Sequence, residues 1–250
     1  MEVHHHSHPS TNSGHRKKWT HYFWEFLMLF LAVFCGFLAE YQLEHKIEKD
    51  REKQFIRSLI EDLSEDTIIL AQTATNLHAN VKRMDSLKFL LYSDDIKDHG
   101  ADLYYLGRRA SRSDWLTLHD RTIQQMKNSG GFRLIRNQKV SNAILEYYNQ
   151  LGFIEKLQTI ELDETMEYRK MAVGIFHPET FGNLVTKENQ VIKPDGNPPL
   201  QTYDKQALLR LAGFVSYCQN SRLALAKAED EMNVTAKELI RLLKKEYHLK

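Results

Sequence analysis

The stretch FLMLFLAVFCGFLA, residues 26–39, contains no charged or amide side chain, and the interpretation of the whole chain depends on it. With Tyr22–Glu25 before it and Glu40–Tyr41 after it, the apolar helix covers about 20 residues, or about 30 Å. That length matches the hydrocarbon core of a bilayer. A core helix of a soluble protein would show a polar face, which this run lacks. The sequence therefore predicts a transmembrane helix over residues 19–41.

The flanks of this helix agree with a membrane span. Aromatic residues of the kind found at membrane interfaces stand at both ends: Trp19, Tyr22, Trp24 and Tyr41. Three basic residues precede the helix: Arg16, Lys17 and Lys18. Because positive charge stays on the cytoplasmic side, we expect a cytoplasmic N-terminus and a periplasmic C-terminal domain in a bacterial inner membrane. Signal-peptide cleavage after Ala39 is disfavoured by the bulky Phe37, and lipidation of Cys35 by the bulky Phe34.

One stripe of the predicted membrane helix differs from its other faces. Residues on that stripe recur at intervals of three and four: Glu25, Leu29, Ala32, Gly36 and Ala39. Ala32 and Gly36 form a small-xxx-small pair, which permits close contact with a second copy or another membrane protein. The alternative is that small residues, common in membrane helices, fall in this register by chance. Glu25 is either a functional acid within the membrane or a side chain that reaches the headgroups.

The segments on either side of the membrane helix are polar. Residues 1–18 are predicted to be a flexible cytoplasmic tail whose histidines are candidate metal ligands, although no metal or cofactor is predicted: His4, His5, His6, His8 and His15. Residues 42–54 alternate in charge and indicate a solvated helical stalk.

Residues 55–250 carry the periodicity of a helical bundle. Apolar residues recur at seven-residue intervals along a first long helix: Ile56, Leu63, Leu70, Leu77, Met84 and Leu91. Residues 92–112 are predicted as a loop with a single helical turn, Ser113 begins a second helix that ends at Asn128, and Asn137 begins a third that extends to about Phe176. An irregular segment over 177–204 precedes a fourth helix from Lys205 to about Tyr247. The predicted fold is all-α: a transmembrane helix continuing into an elongated antiparallel extracytoplasmic bundle of about four helices.

Composition limits the classes of function. Lys and Arg number 34 against 33 Asp and Glu, a net charge of +1, so nucleic acid is not expected as a partner. The two cysteines, Cys35 and Cys218, do not form a disulfide framework.

No catalytic set stands out, and we expect no enzymatic activity. His119 and Asp120, near Asp114, have no nucleophile at a defined spacing, so His119 is interpreted as an ordinary histidine. Four acids of the first long helix are interpreted as a solvated charged face: Glu61, Asp62, Glu65 and Asp66. A candidate ligand pocket, both aromatic and cationic, combines Tyr104, Tyr105, Arg108, Arg109 and Trp115.

Three segments stand out together: MEVHHHSH (1–8), YFWEFLMLFLAVFCGFLAEYQLEH (22–45) and MKNSGGFRLIRNQKVSNAILEYYNQ (126–150). They resemble a domain-of-unknown-function family of bacterial single-pass membrane proteins, which share an "SSG-x-L-I-x-N … YY" motif at a helix junction. The matching residues here are Ser129, Gly130, Leu134, Ile135, Asn137, Tyr147 and Tyr148, with Gly131 as an extra residue. The resemblance implies an inner-membrane location and a native histidine tract, but no established activity.

Three functions remain open from the sequence. The first is a non-enzymatic structural or interaction protein of an envelope complex. The second is a ligand-sensing bundle that acts through a partner, and the third is an ion-coupled accessory subunit that uses Glu25.

Overall fold

The computed structural model describes residues 15–249, and within them the protein is all-α, as predicted. Six α-helices lie in that range: α1 (His15–Tyr92), α2 (Gly100–Ala110), α3 (Arg121–Asn128), α4 (Gln138–Ala172), α5 (Pro178–Gly182) and α6 (Lys205–Glu246). The predicted metal-ligand candidates His4, His5, His6 and His8 lie outside the described residues. The chain divides into two compact units, Met1–Glu52 and Lys53–Lys250.

The first unit contains the apolar part of α1. Every side chain over residues 28–44 is exposed, including Phe37 at 68% and Met28 at 70%. This part of α1 is long and apolar enough to cross a membrane. Exposed apolar surface of this extent is unfavourable in water, so this helix requires a lipid or protein environment.

The second unit is built around the C-terminal part of α1 and the long helices α4 and α6. The predicted heptad positions of α1 are at most 5% exposed, which confirms the seven-residue pattern: Ile56, Leu63, Leu70, Leu77, Met84 and Leu91. His78 of α1 contacts Asp230 of α6. Lys88, ten residues farther along α1, donates to Gln219, which comes eleven residues before Asp230 in α6. The two helices therefore run antiparallel.

The α4–α6 pair is also antiparallel. Asn137 at the start of α4 donates to Glu246 at the end of α6, at 2.9 Å. Farther along α4, Glu161 accepts from Arg222, well before the end of α6. Both helices contribute residues to each of the two apolar clusters, together with α1.

Two apolar clusters fill the second unit. The first includes Leu63, Ile144 and Leu239, and the second includes Leu87 and Leu211. Five polar residues, at most 7% exposed, come between the two clusters in the sequences of the three long helices: Asn80, Gln158, Glu161, Thr165 and Arg222. We call these five residues the polar layer. Burying them is unfavourable unless their hydrogen bonds are satisfied, so the polar layer restricts how the helices pair.

The region between α1 and α4 departs from the prediction in two places. Residues 100–110, predicted as loop with one helical turn, form the helix α2. The predicted helix start at Ser113 is wrong, because α3 begins at Arg121 and residues 112–120 have no regular structure. The amides of His119 and Thr122 donate to side chains of α1 instead of completing an earlier helical turn.

A left-handed glycine and an asparagine cap form the junction between α3 and α4. Gly130 has φ = 67°, a left-handed conformation that glycine adopts without strain. The ring of Phe55 lies against Gly131 so closely that a Cβ atom there would overlap it. Asn137 caps α4 by accepting from the amides of Lys139 at 3.1 Å and Val140 at 3.3 Å, as predicted.

The segment over 177–204 contains the short helix α5 and otherwise has little regular structure. Val185 and Val191 form an isolated antiparallel bridge. Asn189, in the turn between them, has φ = 62°. Leu184 and Leu200 are buried and attach the segment to the second apolar cluster.

Candidate functional site

The predicted interface stripe lies on the exposed apolar part of α1. All five of its residues are exposed: Glu25, Leu29, Ala32, Gly36 and Ala39. A Cβ atom added at Gly36 would meet nothing within 4 Å, so the surface there is open to a neighbouring helix. Glu25 has a local partner, since its carboxylate lies 3.2 Å from Nε2 of His21 one turn earlier.

The five residues of the predicted aromatic, cationic pocket lie in different environments. Tyr104 is fully buried, and its hydroxyl donates to the carbonyl of Pro199 at 3.0 Å. Tyr105 lines a groove beside α1, whereas Trp115 lines a separate groove beside α4. Arg108 lines a third cavity. The guanidinium of Arg109 donates to Asn80 of the polar layer at 3.1 Å.

Two of the four acids interpreted as a solvated face are fully buried. Asp62 accepts from the guanidinium of Arg121 at 2.7 Å and from both the amide and the hydroxyl of Thr122. It thereby satisfies a free amide in the first turn of α3, which has no side-chain cap from its own N-cap residue Asp120. The interpretation as a solvated face is therefore wrong for Asp62. Its role is to fix the start of α3.

Asp66, also 0% exposed, is the second buried acid. Its carboxylate accepts from the amide of His119 at 2.9 Å and from the hydroxyl of Tyr147 at 2.9 Å. The imidazole of His119 lies between two acids, with Nδ1 2.9 Å from Asp66 and Nε2 3.1 Å from the exposed Glu65. Burial and the adjacent Asp66 raise the pKa of Tyr147, which keeps its hydroxyl protonated as a donor.

This acid–histidine–tyrosine arrangement has the connectivity of a structural network. Each buried carboxylate oxygen accepts from a guanidinium, amide or hydroxyl group of the protein, and these bonds join α1 to residues 119–122 and to α4. Within residues 15–249 no group of three or more His, Cys, Asp or Glu side chains is arranged to hold a metal ion.

Arg222 is the most connected residue of the polar layer. It is 1% exposed, and its Nε lies 2.7 Å from the carboxylate of Glu161. Its Nη2 donates to the carbonyls of Ala110 at 3.0 Å and Arg112 at 2.8 Å. Because the end of α2 leaves backbone carbonyls without helical partners, Arg222 satisfies them and holds residues 110–112 against α6.

A cationic cavity of about 460 Å³ lies where α2, α4 and the bridged turn meet. We call it the arginine cavity, and six of its residues are Arg108, Ser111, Arg112, Ser113, Arg169 and Asn189. Nε of Arg169 donates to the carbonyl of Ser111 at 2.8 Å. Arg112 donates to the carbonyl of Asn189 at 3.1 Å and to its side-chain oxygen at 2.7 Å.

Three guanidinium groups therefore share one cavity. Among the residues that the structure describes, no Asp or Glu forms an ion pair with Arg108, Arg112 or Arg169. Burial lowers the pKa of Arg108, and the neighbouring charges of Arg112 and Arg169 lower it further. The sequence signal for this site was weak, because Arg169 and Arg112 are far apart in the chain and the intervening fold brings them together.

No family model, no curated protein and no solved structure matches the chain in the comparisons made.

Proposed function

We propose that the chain is a non-enzymatic, membrane-anchored structural or interaction protein, a subunit or accessory of an envelope complex. The observation that carries this proposal is the unburied apolar helix over residues 19–41, next to a unit that has its own apolar core. Such a helix has no polar face, so its apolar side chains are unfavourably exposed in water. Insertion into a bilayer removes this apolar surface from solvent.

The charge pattern supports an orientation for this anchor. Arg16, Lys17 and Lys18 precede the apolar helix, and the residues after it carry both signs. The positive-inside rule then places the N-terminus in the cytoplasm and the helical domain in the periplasm.

The stripe of Ala32, Gly36 and Ala39 supports self-association of the anchor. With no side chain near Gly36, a second copy of the helix can approach its backbone, and van der Waals contacts between small residues then stabilise the pair. Glu25 and Leu29 continue the same face towards the cytoplasmic end. We therefore assign this face to a homo-oligomeric contact.

Self-association is tested by Förster transfer between two differently labelled populations of the full chain in liposomes. Gly36→Leu places a bulky side chain on the contact face, and we expect the transfer efficiency to fall towards the value for random proximity. Phe34→Leu is the matched control, since residue 34 lies on roughly the opposite face, and we expect it to retain the wild-type efficiency. Equal transfer in all three proteins at dilute lipid ratios would show that the stripe is not a contact.

Ion coupling through Glu25 is the alternative that this helix also permits. The contact of Glu25 with His21 provides a local partner for the acid without a coupled complex, and therefore favours the anchoring proposal. Glu25→Gln separates the two: lost assembly supports the interaction role. Intact assembly with lost proton-dependent activity of the assembled complex supports ion coupling.

A further inference from the structure

We propose that the arginine cavity is a binding site for a phosphate-type oxyanion. The site lies entirely within the unit Lys53–Lys250, and it goes beyond the proposed membrane anchoring. It is assigned from three features of the cavity: converging guanidinium groups, buried donors without partners, and contacts that fix the arginine side chains in place.

The first feature is the unbalanced positive charge. Arg108 from α2, Arg112 from the segment after α2 and Arg169 from α4 line the same cavity of about 460 Å³. None of them has a carboxylate partner among the described residues. Three neighbouring cations repel one another in a partly desolvated cavity, and a bound oxyanion removes that repulsion.

The second feature is a set of donors that the protein itself does not use. Nε of Arg108 and the hydroxyl of Ser113 are buried and have no hydrogen-bond partner among the described residues. Buried donors of this kind are rare in folded proteins, because an unpaired polar group loses its bonds to water without replacement. Guanidinium and hydroxyl donors together match the acceptor oxygens of a phosphate group.

The third feature is that contacts with neighbouring residues hold each arginine side chain in place beside the cavity. The guanidinium of Arg108 lies over the ring of Phe181, 5.1 Å from its centroid. Nε of Arg169 is fixed on the carbonyl of Ser111, and Arg112 is fixed on Asn189 of the bridged turn. These contacts fix the positions of the guanidinium groups around the cavity, which lowers the entropic cost of binding.

A different explanation for Arg108 is purely structural. Arg108 and Arg109 occupy the last turn of α2, where cations interact favourably with the helix dipole. The backbone carbonyls at that end are already bonded, however: Gly107 to the hydroxyl of Tyr168 and Ala110 to Arg222. A structural role for Arg108 predicts lower stability when its charge is removed and no response to phosphate.

The test is isothermal titration calorimetry of the full chain in phosphatidylcholine nanodiscs with inorganic phosphate, in chloride buffer of matched ionic strength. We expect saturable binding by the wild-type protein. Arg108→Met keeps the apolar stem over Phe181 and should weaken phosphate binding by about tenfold or more, while Arg108→Lys should restore part of it. Arg210→Met, at an exposed position on α6, is the matched control and should bind as the wild type does.

A second variant keeps the test valid if Arg108→Met fails to fold. Arg112→Gln removes a cation whose bonds to Asn189 are exposed, and it too should weaken phosphate binding without lowering the unfolding temperature by more than a few degrees. Wild-type protein that shows no saturation at about 10 mM phosphate, or Arg108→Met and Arg112→Gln proteins that bind as the wild type does, would overturn the proposal.

The source of the phosphate group is distinguished by repeating the titration in nanodiscs that contain phosphatidylglycerol. If lipid headgroups occupy the cavity, the apparent affinity for inorganic phosphate falls in these nanodiscs, and the fall disappears in Arg108→Met. If the natural ligand is a soluble phosphate compound, the affinity is the same in both kinds of nanodisc. Each result supports the site provided that binding depends on Arg108.

Discussion

Glu229 on α6 combines near-complete burial with an unsatisfied carboxylate. It is 1% exposed, and its Oε2 has no hydrogen-bond partner among the described residues. Burial raises its pKa from 4.5 to about 7, opposed by a bond from Thr73, while the nearby charges of Asp230 and Asp114 raise it further. Between pH 4.5 and about pH 7, Glu229 is therefore protonated in the folded state and ionised in the unfolded state.

Replacing Glu229 by glutamine should stabilise the protein in a pH-dependent way. Below about pH 4.5 the Glu229 carboxyl is protonated in both the folded and the unfolded state, and its burial then carries no charge penalty. As the pH rises through the folded-state pKa of about 7, the folded state must bury the charged carboxylate, and the free energy of unfolding falls. At pH 8, Glu229→Gln should therefore be more stable than the wild type by up to about 3 kcal/mol, since one pKa unit corresponds to about 1.4 kcal/mol. At pH 5 the difference should be much smaller.

The measurement is thermal unfolding at the two pH values, followed by circular dichroism. Glu231→Gln is the control, because Glu231 is exposed two residues away. An advantage of Glu229→Gln that is equal at pH 5 and pH 8 would contradict the assignment of a buried, protonated acid.

The buried acids of α1 show where reasoning from sequence failed at single residues. Composition treats Glu61, Asp62, Glu65 and Asp66 alike, although only the two aspartates are buried. A signal for Asp66 was present, since it follows the buried Leu59 by seven residues. Asp62 follows Leu59 by three residues and therefore lies on the same face, but the partner that satisfies its carboxylate, Thr122, is sixty residues away.

At the scale of elements, the long helices were predictable and α2 was not. The heptads of α1 and the side-chain cap of Asn137 depend on short-range patterns, which sequence shows directly. Residues 100–110 contain two glycines and follow turn-forming residues, so local propensity disfavours a helix there. Tertiary contacts stabilise α2 instead, among them the packing of Phe176 on Gly107 and the bond from Arg222 to Ala110.

The dependence of α2 on close packing predicts opposite effects for two glycine-to-alanine substitutions. A Cβ atom at Gly107 would overlap the ring of Phe176, so Gly107→Ala should destabilise the protein by about 1–3 kcal/mol. A Cβ atom at Gly213 in α6 would meet nothing within 4 Å, so Gly213→Ala should stabilise it by about 0.5–1 kcal/mol through helix propensity. Urea unfolding monitored by circular dichroism measures both, and a loss of stability in both variants would show that α6 is also tightly packed at Gly213.

At the scale of the whole molecule, the two units have different requirements. The unit Lys53–Lys250 contains both apolar clusters and the polar layer. Along α1 and α6 the apolar seven-residue spacing continues from one cluster into the other, so the two clusters were not separable from sequence. The described part of the other unit exposes its apolar side chains along the helix. One unit is therefore expected to fold in water and the other to need a bilayer or detergent.

A fragment that comprises residues 53–250 should remain in solution without detergent and unfold cooperatively. Its apolar clusters lie within that range, so removal of residues 1–52 takes no member of either core away. Analytical ultracentrifugation and thermal unfolding by circular dichroism test this. The full chain is the control, and it should sediment as aggregates unless detergent is present. A fragment that aggregates, or that unfolds without a cooperative transition, would contradict the separation into units.

The positions of Glu25 and Glu40 also set how the anchor fits membranes of different thickness. The whole apolar helix, residues 22–41, matches a hydrocarbon core of about 30 Å, but the uncharged run between the two acids, residues 26–39, is only about 21 Å long at 1.5 Å per residue. Such a helix gains nothing from tilting, because tilt shortens its reach further. In the proposed anchoring role, hydrophobic mismatch would therefore favour an upright helix in a thin or locally thinned bilayer, and membrane thickness would itself select where the protein resides.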